Sequence, residues 1–169
     1  MVVLDPGHLA IAFDSDRKPI AAAWAYEIAL TKSDATLALL LNLVAIYIAA
    51  SDPGYRASFL LDSRFVDCAL ERAQDLLGGA TQRFGAHAEI HYWQLFIRDI
   101  VLGEDVSDTE YEYLCQLPNS GIADLALFLR TGSSQFLDGA RRFLASMDEV
   151  TTERARYFLG FKERLDHVS

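Results

Sequence analysis

The chain has 169 residues, of which 51% are hydrophobic, and it carries 24 acidic against 15 basic side chains for a formal net charge of −9. This length and apolar content exclude a disordered chain and predict one globular domain over residues 1–169. The negative charge repels phosphate backbones, so we expect no nucleic-acid partner.

The N-terminal region allows two interpretations. Residues 8–13 alternate enough to predict a short N-terminal strand, and Asp14-Ser15-Asp16 is typical of a turn. Pro19 suits the first position of a helix, which then runs to Leu30. An Ala-rich second strand over residues 20–26 competes with that helix. The sequence therefore leaves a hairpin and a helix open for residues 8–26.

Residues 35–50 form the most apolar segment of the chain, with no charge and a single polar amide at Asn42. A membrane-spanning helix needs about 20 apolar residues. Here Asp34 precedes the segment and Asp52 follows it, so the apolar stretch is too short. We therefore predict a buried central helix over residues 35–50 and no membrane partner.

The remaining chain shows apolar residues at helical spacing, broken by short polar or glycine-containing connections. Gly78-Gly79 predicts one helix end, and Ser107-Asp108-Thr109-Glu110 matches a capping box. The predicted helices cover residues 63–77, 81–102, 107–117 and 122–130, followed by one capped by Ser134 and a last one over 152–166. Together these elements predict an all-α, single-domain bundle of seven or eight helices around the buried helix 35–50.

The helix predicted over residues 81–102 contains a string that looks like a metal site, His87-Ala88-Glu89-Ile90-His91. A helix turns by about 100° per residue, which puts His91 on the same face as His87 and Glu89 on the opposite one. The string therefore cannot supply three ligands from one regular helix. We expect no metal ion here.

The face that carries the two histidines is basic and holds no carboxylate. Three interpretations are open: a solvated face without function, a site for an anion or an acidic partner, and a metal site that borrows two ligands from elsewhere. Arginine repels a dication and favours an anion, so the anion site is the stronger functional interpretation. Its candidate residues are Arg83, His87, His91, Gln94 and Arg98.

Residues 99–129 hold seven carboxylates and no Lys or Arg. Part of this charge serves helix capping, and solvation alone can account for the rest. Interleaved tyrosines also allow an acidic and aromatic surface for a basic partner. The candidate partner-binding residues are Glu104, Asp105, Glu110, Tyr111 and Glu112.

The chain contains no nucleotide-binding, hydrolase or metal-binding motif, and Cys68 and Cys115 stand apart from each other and from any histidine. We expect two reduced, mostly buried thiols, a cytoplasmic location and no cofactor, and the opening residues lack the pattern of a secretory signal. The sequence leaves the oligomeric state undecided.

These features predict a noncatalytic protein that acts by protein–protein interaction, neutralising or regulating a basic partner. The alternative is a small-molecule or anion-binding protein, or an enzyme, that uses the basic His/Arg face of helix 81–102.

Overall fold

A computed structural model describes residues 5–147 and 150–167. Within these ranges the secondary structure is helical and includes no strand, which confirms the all-α class. The α-helices are α1 (Pro6–Ser15), α2 (Pro19–Leu30), α3 (Leu37–Ala49), α4 (Pro53–Phe59), α5 (Ser63–Phe84), α6 (Ala88–Phe96), α7 (Asp108–Glu112), α8 (Gly121–Thr131), α9 (Leu137–Ala145), α10 (Glu153–Leu159) and α11 (Lys162–Asp166). A π-helix covers Ile97–Val101, and 3₁₀ turns cover Tyr113–Gln116 and Ser134–Phe136.

The chain divides into two compact units. Unit 1 comprises Met1–Gly79 and Thr151–Arg156, and unit 2 comprises Ala80–Val150 and Tyr157–Ser169. The expectation of a single domain over residues 1–169 stays a prediction. Among the described residues the α-helices are more numerous than the seven or eight predicted, because some predicted helices are interrupted and α4 had not been predicted, whereas α5 is longer than predicted. The expected burial of Cys68 and Cys115 is wrong, since both are exposed.

The predicted N-terminal strand over residues 8–13 is wrong, since these residues lie in α1. Asp5 caps that helix by accepting a hydrogen bond from the His8 backbone N–H, and Pro6 occupies its first turn. The helix predicted from Pro19 to Leu30 is confirmed as α2, which rules out the hairpin. The alanines of α2 explain why this segment is a helix and not a strand. Alanine has the highest helix propensity, and its small side chain lets α2 pack closely on α1 and α3.

The apolar segment predicted over residues 35–50 forms α3, which begins after its N-cap, Thr36. Every residue from Leu40 to Ile48 is buried. The predicted burial is therefore confirmed, whereas a position at the centre of a bundle stays a prediction. In the described part of the chain no single helix has the length and hydropathy to cross a membrane, although α3 and α4 together, across a 98° bend, pass that test by length and composition.

A chain of buried polar side chains ties unit 1 together. The Tyr26 hydroxyl donates to Asp14 Oδ2 at 3.1 Å and accepts from Asn42 Nδ2 at 3.2 Å. Asn42 Oδ1 accepts from the Thr152 hydroxyl at 3.3 Å. Asp14 also accepts from the Glu153 backbone N–H and from the Arg156 guanidinium, at 2.7 and 2.8 Å. Burial raises the pKa of Asp14 in spite of these donors.

The helix predicted over residues 81–102 is also wrong. Gly78 and Gly79 do not end a helix but lie inside α5, whose buried stripe of Ala73, Leu77 and Ala80 continues past them. The chain breaks instead at Gly85, which has a φ of +82° in the left-handed region. Helix α6 begins three residues later, and the last predicted turns form the π-helix.

An aromatic cluster forms much of the core of unit 2. Trp93 and Phe158 are both fully buried, with ring centroids 5.5 Å apart. Tyr157 packs against Trp93 at 4.9 Å and against Phe96 at 5.4 Å. These ring contacts pack α6 against the end of α10 that carries Tyr157 and Phe158.

Candidate functional site

The structure separates the residues of the predicted basic face. Arg83 is exposed in the last turn of α5, with its guanidinium 5.0 Å from the Phe84 ring centre. His87 lies beyond the break and adopts an extended backbone as the N-cap of α6, where its Nδ1 accepts a hydrogen bond from the Glu89 backbone N–H. The two residues therefore do not share a continuous helix face.

His91 and Gln94 do lie on α6, where both are half-buried. The His91 ring meets the Tyr113 ring edge-on at 6.1 Å. Glu89, on the same helix, is buried and accepts a hydrogen bond from the Trp93 indole at 3.3 Å. Among residues 5–147 and 150–167, no group of three or more His, Cys, Asp or Glu side chains is placed to hold a metal ion.

Arg98 joins the two surfaces that the sequence kept apart. Its guanidinium donates to Glu104 Oε2 at 2.8 Å and to Glu110 Oε1 at 2.7 Å. Glu110 also completes the predicted capping box with Ser107, which confirms that motif. These donors, Arg98 foremost, lower the pKa of Glu110 to about 2. One basic candidate thus pairs with two acidic candidates, and the three side chains together carry one negative charge.

The other acidic-surface candidates differ in their exposure. Asp105 and Glu112 are exposed to solvent. Tyr111 is buried, at 6% exposure, and its hydroxyl donates to Asp99 Oδ2 at 2.9 Å. Burial raises the pKa of Tyr111 well above its ordinary range, so the hydroxyl stays neutral. The structure therefore does not bring these five residues onto one exposed surface.

A cavity of about 420 Å³ lies in unit 2, in the range typical of small-molecule sites. Its lining comes from six helical elements, which are α6, the π-helix, α7, α8, α10 and α11. Phe161, between α10 and α11, also lines it. The lining residues are Tyr92, Phe96, Asp99, Ile100, Tyr111, Ala126, Leu129, Arg130, Tyr157, Phe161 and Arg164. Most of this lining is aromatic or aliphatic.

Arg130 organises one side of the cavity. It donates to Asp99 at 2.7 Å, to the Asp108 carboxylate and to the Val106 carbonyl, while its guanidinium lies 4.8 Å from the centre of the Tyr111 ring. With all three guanidinium nitrogens engaged, Arg130 fixes the wall of the cavity.

Tyrosines supply neutral polar groups to the lining. The hydroxyls of Tyr92 and Tyr157 are 2.8 Å apart and hydrogen-bonded to each other. Burial raises the pKa of Tyr157 to about 12. Both groups therefore stay protonated at neutral pH, where they can orient a ligand by hydrogen bonding.

Arg164 is the exposed cation of the lining. Over residues 5–147 and 150–167 its side chain has no ion pair or hydrogen bond. Since Asp99 offsets Arg130, the charged groups of the lining sum to one positive charge, which Arg164 carries. The cavity therefore combines an apolar body with one available cation.

Sequence reasoning missed this cavity because helical spacing does not distinguish aromatic residues that line a cavity from aromatic residues that pack in a core. Tyr92 and Phe96 are four residues apart, as are Tyr157 and Phe161, so each pair lies on one side of its segment. This spacing predicts an aromatic face on each segment, but it does not predict which other element that face packs against. The π-helix, a feature often found at functional sites, supplies Asp99 and Ile100 and has no signature in the sequence.

The chain was compared with protein-family profiles, with curated proteins and with solved structures, and no match was found in any of the three.

Proposed function

We propose that the protein binds a small amphipathic anion, an aromatic or aliphatic body bearing a carboxylate, in the cavity of unit 2. The observation that carries this proposal is the combination of an aromatic lining with Arg164, whose side chain has no partner among the described residues. Anion binding was also the alternative function predicted from the sequence. The proposed site, however, is the cavity and not the predicted His/Arg face.

The apolar part of the ligand follows from the lining. Phe96, Tyr157 and Phe161 present rings to the cavity, and Leu129 and Ile100 add aliphatic surface. Ile100 is 64% exposed, so it stands at the opening and a bound ligand would remove it from water. Burying apolar surface contributes about 25 cal/mol per Å². An apolar body therefore supplies most of the binding free energy.

The charge of the ligand follows from Arg164. A carboxylate can accept two parallel hydrogen bonds from a guanidinium, which fixes its orientation. The net charge of −9 opposes an incoming anion, but charges more than about 8 Å apart are largely screened at physiological salt. The local positive charge therefore decides the sign of the ligand.

Binding of a basic protein partner through Glu104, Asp105, Glu110, Tyr111 and Glu112 is a separate proposal with less support. Arg98 already pairs with two of these carboxylates, and Tyr111 is buried. Asp105 and Glu112 are exposed, so neither of these two arguments applies to them. A cytoplasmic location and the absence of catalysis likewise stay part of the proposal.

Calorimetric titration of two matched probes tests the proposed function. We expect 4-phenylbutyrate to bind saturably at millimolar concentration, and 4-phenylbutanol, which lacks the charge, to bind less tightly. Arg164→Gln should weaken 4-phenylbutyrate by about fivefold, since an exposed ion pair contributes up to about 1 kcal/mol, and should leave the alcohol unchanged.

Arg142 provides the control, because it is an exposed arginine on α9 that does not line the cavity. Arg142→Gln should leave both affinities unchanged. Ile100→Glu, at an exposed position of the lining, should weaken the anion more than the alcohol by placing a like charge beside it. Equal affinity for the two probes in the wild-type protein, or no saturable binding of either, would overturn the proposal.

A further inference from the structure

The hydroxyl pair of Tyr92 and Tyr157 in the cavity wall holds one proton that the pair itself does not use. The two oxygens lie 2.8 Å apart and form a single hydrogen bond, in which one hydroxyl donates and the other accepts. Each neutral phenol carries one proton, so the accepting hydroxyl keeps its own. Among the residues that the structure describes, neither hydroxyl has a second hydrogen-bond partner. Whichever tyrosine donates within the pair, one phenolic proton therefore stays free.

Most other donor groups of the lining are already engaged. The Tyr111 hydroxyl donates to Asp99 at 2.9 Å, and Arg130 donates to the same carboxylate at 2.7 Å. Of the donor groups that line the cavity, two donate to no residue of the described ranges. These two are the Arg164 guanidinium and one hydroxyl of the tyrosine pair. The polar part of the cavity can therefore recognise a second group on a ligand besides its carboxylate.

The hydroxyl pair and the free cation lie at different depths. Tyr92 is 4% exposed, and Tyr157 is half-buried. Arg164 is exposed, and Ile100 stands at the opening of the cavity. A ligand whose carboxylate pairs with Arg164 therefore directs the other end of its body toward the hydroxyl pair.

A carbonyl oxygen is the ligand group that suits the free phenolic proton. A buried donor without an acceptor carries a desolvation cost, which a bound acceptor removes. A carbonyl oxygen accepts the proton and brings no donor of its own into a mostly apolar site. Burial raises the pKa of both phenols, so the proton stays in place at neutral pH. A hydrocarbon body fills the same space but leaves this donor unsatisfied.

From the free proton of the pair and its depth in the cavity we infer that the ligand is a keto acid. Its carboxylate, at one end, pairs with Arg164, and its carbonyl, toward the other end, accepts from the hydroxyl pair of Tyr92 and Tyr157. This inference rests on the proposed function, because it assigns a second recognition contact within the same cavity. The hydroxyl pair thereby selects among the anions that Arg164 and the apolar lining admit.

Two isomeric keto acids test the inference by calorimetric titration beside 4-phenylbutyrate. The first, 4-oxo-4-phenylbutyrate, has its carbonyl at the end of the chain away from the carboxylate. It should bind about fivefold more tightly than 4-phenylbutyrate, as expected for one net hydrogen bond. The second, 2-oxo-4-phenylbutyrate, contains the same atoms but has its carbonyl beside the carboxylate. It should bind less tightly than the 4-oxo isomer.

Tyrosine variants assign the preference to the hydroxyl pair. A single replacement of Tyr92 or Tyr157 leaves the other hydroxyl with a free proton, so both must be changed. The double variant Tyr92→Phe/Tyr157→Phe should bind 4-oxo-4-phenylbutyrate and 4-phenylbutyrate with equal affinity. Tyr113 is an exposed tyrosine outside the lining, so Tyr113→Phe is the matched control and should keep the fivefold preference. Circular dichroism confirms that each variant is folded.

The outcomes separate this inference from the proposed function. If the wild type binds 4-phenylbutyrate saturably but shows no preference for 4-oxo-4-phenylbutyrate, the inference is wrong and the proposed function stands. The same holds if the preference persists in the double variant, or if the two keto acids bind equally well. If none of the three acids binds saturably, the proposed function and this inference are both wrong.

Discussion

The Arg98 guanidinium donates to Glu110 across 2.7 Å, and this contact joins a residue of the predicted basic face to one of the predicted acidic surface. The π-helix carries Arg98 and α7 carries Glu110. One residue of the predicted basic face therefore pairs with two carboxylates of the predicted acidic surface within unit 2. Arg164 in the cavity, by contrast, makes no ion pair with any described residue.

Replacing Arg98 should raise the pKa of Glu110. The Arg98 hydrogen bond is the largest cause that lowers this pKa from 4.5 to about 2, and the Ser107 donors are the next. In Arg98→Gln the pKa should therefore rise part of the way toward 4.5. Titration of the Glu110 side-chain carbon by NMR measures it.

The same variant makes a prediction about stability and pH. A lowered carboxyl pKa stabilises the folded state above pH 4.5, and this contribution is lost as the pH falls toward 2. Wild type should therefore exceed Arg98→Gln in free energy of unfolding above pH 4.5, with the difference shrinking below it. A difference that grows as the pH falls would contradict the assignment of Arg98 as the main cause.

Removing the Asp14 carboxylate should destabilise the protein strongly. Asp14 is 2% exposed and accepts from Tyr26, the Glu153 backbone N–H and Arg156. Asp14→Ala leaves these donors without their acceptor, which costs about 3 kcal/mol. Asp14→Asn keeps one acceptor oxygen and should cost less. Urea denaturation followed by circular dichroism gives both values, and equal losses for the two variants would contradict this account.

Two glycine substitutions should have opposite effects. Gly85 adopts a φ of +82°, so Gly85→Ala should destabilise the protein by about 1 kcal/mol. Gly78 lies inside α5, where alanine is the better helix former, so Gly78→Ala should stabilise it by about 1 kcal/mol. An added Cβ meets no atom within 4 Å at either position, so the backbone alone sets the sign. The urea midpoints of the two variants measure the contrast.

These glycines show why the helix boundaries could be predicted only in part. Gly78-Gly79 looks like a stop, yet the buried stripe continues to Ala80 and packing outweighs the cost of two helical glycines. The bounds of α2 at Pro19 and Leu30 and the Ser107 capping box were predictable because their signals are local. The break falls at Gly85, which has a positive φ, and the sequence does not show which of Gly78, Gly79 and Gly85 ends the helix.

The cavity was less predictable than the fold, for a physical reason. Helical spacing groups Tyr92 with Phe96 on one side of a helix, but only tertiary packing brings Tyr157 and Arg164 to the same site. The predicted His/Arg face, by contrast, could be read from the sequence because its residues recur at helical spacing within one short segment. Arg164 carried no signal at all, since an arginine in a short C-terminal helix is typical of a solvated surface.

NMR titration of the 169-residue protein with 4-phenylbutyrate tests the central claim most directly. The account predicts saturable chemical-shift changes at Phe96, Ile100, Tyr157 and Arg164 Nε, with Arg142 Nε unmoved. It also predicts that Arg164→Gln reduces the affinity while the shifts of the apolar lining persist at saturation. Shift changes confined to His87, His91 and Arg83, or none at the cavity, would contradict it.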